Sequence, residues 1–207
     1  MEYCFEKCYT EYRLCYKDQS ARVRLNTLGV HNVSNSLAAA AAGIVAGIDI
    51  ETIACGLGEF LPDEMRMKIS TSEKSWATII SDVYNSNPEA CKVALNVLND
   101  MPATRRIAVI GDMLELGQQA QKAHIGVGEY ASAVADVIIG VGKYADYVVT
   151  GAATSMPYNK LYAASTNAQA KEILDKLHLC QGDIVLVKGS RGVGMEVLTQ
   201  YLLNGEK

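Results

Sequence analysis

Trp76-Ala-Thr-Ile-Ile80, followed closely by Asp82-Val-Tyr-Asn-Ser-Asn-Pro88, sets the fold class of this chain. The first five residues are apolar or β-branched, the composition of a buried strand. Pro88 then stands where the first turn of a helix would be, with Asn87 as its cap and Glu89 complementing its positive end. Ala90, Ala94, Val97 and Leu98 follow at helical spacing. One carboxylate, one phenol and two amides thus fall at the carboxyl end of a strand, where α/β proteins place their ligand chemistry. An ordinary polar βα loop has the same composition, and this stretch alone leaves both readings standing.

Outward from this point the pattern repeats. Strands are expected near 77–81, 107–110, 136–140, 160–163 and 183–187, and helices near 88–99, 119–134, 143–150, 167–178 and 193–203. Such alternation implies an α/β fold, a mainly parallel sheet covered on both faces. Residues 1–30 differ. Tyr3, Phe5, Tyr9, Tyr12 and Tyr16 are interleaved with charges, and Val23, Leu25 and Leu28 follow Asp18-Gln-Ser20, so two or three strands with a turn near Asp18 are expected. So small a hairpin is not stable alone and needs further structure to join. His31–Ser36 leads into the alanine run Leu37–Ala42, a helix suited to close packing, and a second short helix starts at Asp49. Residues 61–75 are polar and weakly periodic; they read as a linker with a short strand around Arg66–Ile69.

The chain has 207 residues, 49% of them hydrophobic, enough for one large or two small domains. A net charge of −4 with interspersed signs argues against a general nucleic-acid or membrane surface. No apolar run approaches the roughly 20 residues of a membrane span, and the start lacks the pattern of a signal peptide. These features read as cytosolic. The six cysteines do not fall at zinc-ligand spacing, so reduced, partly buried thiols are expected and no metal ligands are assigned.

Four polar turns carry chemistry. Gly29-Val-His-Asn-Val-Ser-Asn35 opens the alanine helix, whose free amides could receive an anion beside His31, Asn32 and Asn35; Asn32 or Ser34 acting only as a cap is the alternative. Arg66 lies in the linker, either solvated or reaching a phosphate through charge-assisted bonds of about 1.5–3 kcal/mol each. Gly111-Asp-Met-Leu-Glu-Leu-Gly117 puts Asp112 and Glu115 at another strand end, to hold a metal or an amine or only to shape the turn. His124, just beyond, reads as a satisfied structural histidine. Leu186-Val-Lys-Gly-Ser-Arg-Gly-Val-Gly194 brings Lys188, Ser190 and Arg191 together with glycine-permitted amides, a cationic nest for a carboxylate or phosphate. It fits neither a P-loop nor G-x-G-x-x-G, and Gly126/Gly128 and Gly140/Gly142 are equally weak dinucleotide signatures.

Taken together, Gly29–Ala40, Met65–Met67, Asp82–Pro88, Gly111–Gly117 and Leu186–Glu196 occur in the order and approximate spacing of the Mur ligase family. The last three resemble its D-alanyl-D-alanine-adding branch. The resemblance covers about Val23 to Tyr201. It implies the tail of a central ATPase α/β domain with its linker over 1–75, then a Rossmann-like carboxyl-terminal domain over 76–207. The reaction it implies is ATP-dependent. The carboxylate of a UDP-N-acetylmuramoyl-tripeptide is phosphorylated, and D-Ala-D-Ala attacks the acyl phosphate during peptidoglycan precursor synthesis. By the same resemblance Arg66 and His31 are catalytic. Asn32, Asn35, Arg66, Asp82, Tyr84 and Asn85 bind ATP, with Asn35 by the adenine, Arg66 by the phosphates and Asp82 by the ribose. Lys188, Ser190, Arg191 and Asp112 meet the D-Ala-D-Ala. ATP and Mg2+ serve the complete enzyme, which is expected to be a cytoplasmic monomer.

The departures from the family pattern are informative. The upstream UDP-substrate domain, the G-x-x-G-K-[ST] loop, the magnesium-binding glutamate and the carbamylated lysine are not found here, so this chain is expected to begin inside the central domain and not to ligate alone. Three other readings are another Mur-type amide ligase, a non-catalytic α/β binding module and a nucleotide-dependent oxidoreductase. The D-N-P-R motif of the diaminopimelate-adding branch is absent, and no glycine fingerprint follows the first strand.

Overall fold

A computed structural model describes residues 2–4, 8–63 and 65–205; Phe5 and Glu64 lie outside the described residues. The chain divides into two compact units, Met1–Asp63 and Glu64–Lys207. The division falls earlier than the expected 75/76 boundary for a simple reason. The supposed linker contributes strand β4 (Lys68–Thr71), which pairs antiparallel with β5 (Thr78–Asp82) in the second unit.

In the first unit β1 (Glu2–Cys4), β2 (Tyr9–Tyr16) and β3 (Gln19–Leu25) form an antiparallel sheet in that order, turning at Lys17 and Asp18. The alternating inward residues Tyr12, Leu14, Ala21, Val23 and Leu25 pack with Ala40 of α1 (Val30–Val45) and Ile50, Ile53 and Ala54 of α2 (Ile50–Glu59). Asp49 caps α2 by accepting from the Thr52 amide at 2.9 Å.

The second unit is a six-stranded sheet in the order β4-β5-β9-β6-β7-β8, parallel from β5 onward. Its further strands are β6 (Arg105–Gly111), β7 (Val137–Val141), β8 (Leu161–Ala164) and β9 (Asp183–Lys188). The helices are α3 (Pro88–Asp100), α4 (Ala120–Ser132), α5 (Ala145–Ala152), α6 (Asn167–Lys176) and α7 (Glu196–Asn204). Ile79, Ile107, Val109, Ile139 and Val185 face Ala170 and Leu174 of α6 and Leu198 and Leu202 of α7. The intervening Ile80, Ala108, Ile110, Ile138 and Leu186 are equally buried, under the row α3, α4, α5. Continuous burial of this kind is what parallel strands between two helical layers require. The alternating strands and helices therefore form the α/β fold expected from the sequence.

Within that row α4 and α5 approach backbone to backbone. A Cβ on Gly128 would lie 2.0 Å from the Val148 carbonyl oxygen, and one on Gly151 2.0 Å from that of Ile125. Gly128, weighed above as part of a nucleotide fingerprint, is thus a packing residue. No described helix is long and apolar enough to cross a membrane.

Candidate functional site

β5 and β9 are adjacent and parallel, with Asp82 opposite Lys188 in register. Both side chains therefore leave the sheet on the same side, and the Lys188 ammonium donates to Asp82 Oδ2 at 2.7 Å and to the Asn85 carbonyl at 2.9 Å. Lys188 is 2% exposed. Its ammonium thus ties the strand end to the Asp82–Asn85 turn. A matching pair closes the other end of β9. Arg105, opposite Asp183, donates from Nε and Nη2 to its two carboxylate oxygens at 3.1 and 2.5 Å. Burial pushes the Asp183 carboxyl up, but the Arg105 guanidinium and the Cys180 amide outweigh it and hold the group below the ordinary carboxylate value.

The Asp82–Pro88 turn ends as its sequence suggests. Asn87 Oδ1 accepts from the Ala90 amide at 2.8 Å and Pro88 opens α3. Ser86 is buried with its hydroxyl 3.1 Å from Cys91 Sγ, and burial pushes that thiol up, so Cys91 is a packed thiol and not a nucleophile.

The two other strand-end turns are tied to each other. The Ser190 amide donates to the Asp112 carbonyl at 3.0 Å, and the Leu114 amide donates to Ser190 Oγ at 3.0 Å. Room for this contact comes from Gly111 and Gly189. A Cβ on either would lie within 2.4 Å of the buried Met195 sulfur. The Asp112 carboxylate, expected from the sequence to meet D-Ala-D-Ala, accepts from the Lys143 and Tyr144 amides at 2.9 Å each. Of the roles left open for it, the structure displays turn-shaping. His124 is buried with both ring nitrogens engaged, Nδ1 donating to the Ala120 carbonyl at 2.6 Å and Nε2 accepting from the Met113 amide at 2.9 Å. Burial holds its pKa below the usual histidine value, matching the neutral tautomer these bonds require.

Two cations remain exposed. Arg66 lies over the Tyr84 ring with Cζ 4.1 Å from its centroid, and Arg191 lies 5.5 Å from the same ring. Neither makes an ion pair among the described residues. Arg66, Asp82, Tyr84, Asn85, Ser190 and Arg191 thus gather around the carboxyl ends of β5 and β9 within one unit. The sequence singled out all six but could not show which would meet.

His31, Asn32 and Asn35 belong to the first unit, and here the structure corrects the expected turn. Helix α1 begins at Val30, so the three residues lie inside its first two turns. Gly29 is the cap residue, and no side chain caps the helix. The Asn32 side-chain amide donates back to Thr27 Oγ1 at 3.0 Å and to the Leu28 carbonyl at 2.8 Å, fastening the β3–α1 connection. Ser34 Oγ donates to the Val30 carbonyl. His31 is half-buried and Asn35 exposed.

Residues 65–191 match the sequence profile of the family described as "Mur ligase, glutamate ligase domain". The chain belongs to the Mur ligase family. The match begins at the first described residue of the second unit, which agrees with the division at 63/64. The chain is similar to the UDP-N-acetylmuramoyl-tripeptide–D-alanyl-D-alanine ligases of Escherichia coli (strain K12) and Bacillus subtilis (strain 168). It is 32% identical to each, over 93% and 85% of its own length and 41% and 38% of theirs. It also resembles a crystal structure of MurF from Acinetobacter baumannii, at a TM-score of 0.84 and 31% identity, covering 94% of this chain and 42% of that one. A MurF ligase from Thermotoga maritima in complex with ADP shares the fold at a TM-score of 0.78 and 21% identity. The chain spans about two fifths of the length of the curated relatives it matches.

Proposed function

We propose that this chain serves an ATP-dependent ligase that joins D-Ala-D-Ala to UDP-N-acetylmuramoyl-tripeptide, and that its second unit receives ATP and the dipeptide. The convergence of Arg66 and Arg191 on Tyr84, beside a carboxylate fixed by a buried lysine, carries this reading. Phosphoryl transfer asks little covalent chemistry of a protein; it asks for positioning and for neutralisation of an anionic transition state. Asp82, aimed by Lys188, offers its free lone pairs to the ribose hydroxyls. Tyr84 and Asn85 border the nucleotide. Arg66 faces the phosphates while the tripeptide carboxylate attacks the terminal phosphorus and ADP leaves. Ser190 and Arg191 orient the dipeptide carboxylate, so that its amine attacks the acyl carbon, loses a proton and expels phosphate. For the first unit, the family resemblance assigns His31 a catalytic role and Asn32 and Asn35 a nucleotide-binding one. ATP acts with Mg2+, whose ligands lie outside this set. The expected setting is the cytoplasm and the expected state a monomer.

This chain carries no G-x-x-G-K-[ST] loop in its 207 residues and is not expected to turn over alone. The test is a full-length ligase containing it, given ATP, UDP-N-acetylmuramoyl-tripeptide and D-Ala-D-Ala. Formation of ADP and phosphate that requires both other substrates is expected. ATP consumption indifferent to the dipeptide would overturn the proposal.

A further inference from the structure

We infer that Tyr84 is a positioning residue whose ring fixes the guanidiniums of Arg66 and Arg191 together, so that the phosphate-facing and the carboxylate-facing cations are set by one side chain. The inference deepens the ligase reading above and rests on it for the identity of the two anions.

The geometry is built at both ends. The Met65 carbonyl accepts from the Val83 amide at 2.9 Å and the Tyr84 amide at 3.2 Å, so the residue preceding Arg66 is tied to the backbone that carries the ring. Arg191 starts from Ser190, whose amide and hydroxyl are held by the Asp112 carbonyl and the Leu114 amide. Both guanidiniums are therefore delivered to the half-buried tyrosine by fixed backbone, at 4.1 and 5.5 Å from its centroid. The π face attracts a guanidinium and narrows its rotamers. The two Cζ atoms are at most about 10 Å apart, and their like charges are left unneutralised by any described carboxylate. Such a pair is poised for oxyanions, and whatever moves the ring moves both cations.

The test pairs a spectroscopic with a kinetic readout. In this chain the guanidinium Nε–H signals of Arg66 and Arg191, assigned with Arg66→Lys and Arg191→Lys, should show upfield ring-current shifts. Tyr84→Phe should keep both shifts, Tyr84→Trp should deepen both, and Tyr84→Leu should abolish both while the amide signals of β5 and α3 stay in place. In a full-length ligase Tyr84→Leu should raise KM for ATP and for D-Ala-D-Ala together by about fivefold or more, with Tyr84→Phe recovering most of each. Arg191→Ala should raise chiefly the dipeptide KM. The inference is overturned if either guanidinium signal ignores the ring, if Phe behaves as Leu, or if only one KM moves. A wild-type ligase without turnover would sink the ligase reading instead, and the side-chain signals would still decide the role of the ring.

Discussion

Lys188 illustrates how one buried cation can set a strand-end turn. Its Nζ bonds the Asp82 carboxylate and the Asn85 carbonyl, so the charge is compensated from within the protein. Removing it alone leaves Asp82 facing an apolar methylene stem. Lys188→Met should cost about 3 kcal/mol of unfolding free energy, near the lower end for a broken buried pair because Asp82 retains some solvent. Adding Asp82→Asn should recover part of that loss; urea denaturation of the two single variants and the double one gives the coupling. Arg66 presents the opposite case, an exposed side chain whose loss leaves the core untouched. Arg66→Ala should leave the unfolding midpoint in place yet lower turnover of a full-length ligase about 100-fold, the scale of one lost transition-state contact. The sequence marked both residues as chemical. It could not separate them, because Asp82 and Lys188 are 106 positions apart and only the strand order joins them. Asp112 was ambiguous for the same reason, since its two amide partners come from a turn about thirty residues further on.

Among the elements, α3 was legible at its start because its signals are local: Asn87 caps and Pro88 opens the helix. The start of α1 was misplaced by most of two turns. A helix capped by glycine, with no side-chain bond, carries little signature, and the polar His31–Asn35 run imitates a loop. The α4–α5 contact offers a controlled comparison inside one helix. A Cβ on Gly126 meets nothing within 4 Å, whereas one on Gly128 collides with the Val148 carbonyl. Gly126→Ala should stabilise the chain by about 0.5–1 kcal/mol through helix propensity. Gly128→Ala should destabilise it by about 1–3 kcal/mol, because two backbones must part to admit one methyl. The chemical-denaturation midpoints should move in opposite directions, and a shared direction would contradict the packing described.

At the scale of the whole molecule, the buried Asp183 and His124 both contribute to the response to acid. The pKa of Asp183 is lowered on folding, so its stabilisation is full above the unfolded aspartate value of about 3.9 and is lost as pH falls through the folded value. His124 is likewise lowered, and the unfolded chain takes up its proton first; its contribution is present above about pH 6.5 and declines below it. Urea midpoints should therefore fall in two stages on acidification, and Asp183→Asn should flatten the second. Alternating strand and helix signals made the fold class readable, but the insertion of β9 between β5 and β6 was not, because pairing order depends on crossovers and not on local composition. That insertion governs how the protein can be made. While β9 is still inside the ribosome, β5 and β6 have emerged without the neighbour that joins them, leaving an open slot with bare amides and carbonyls on both sides. The sheet can close only after β9, the last of its strands in chain order, has emerged, so its assembly waits on a long-range pairing and is slow on topological grounds. A premature stop before Asp183 would leave two unjoined β fragments, a natural client for chaperones and proteases.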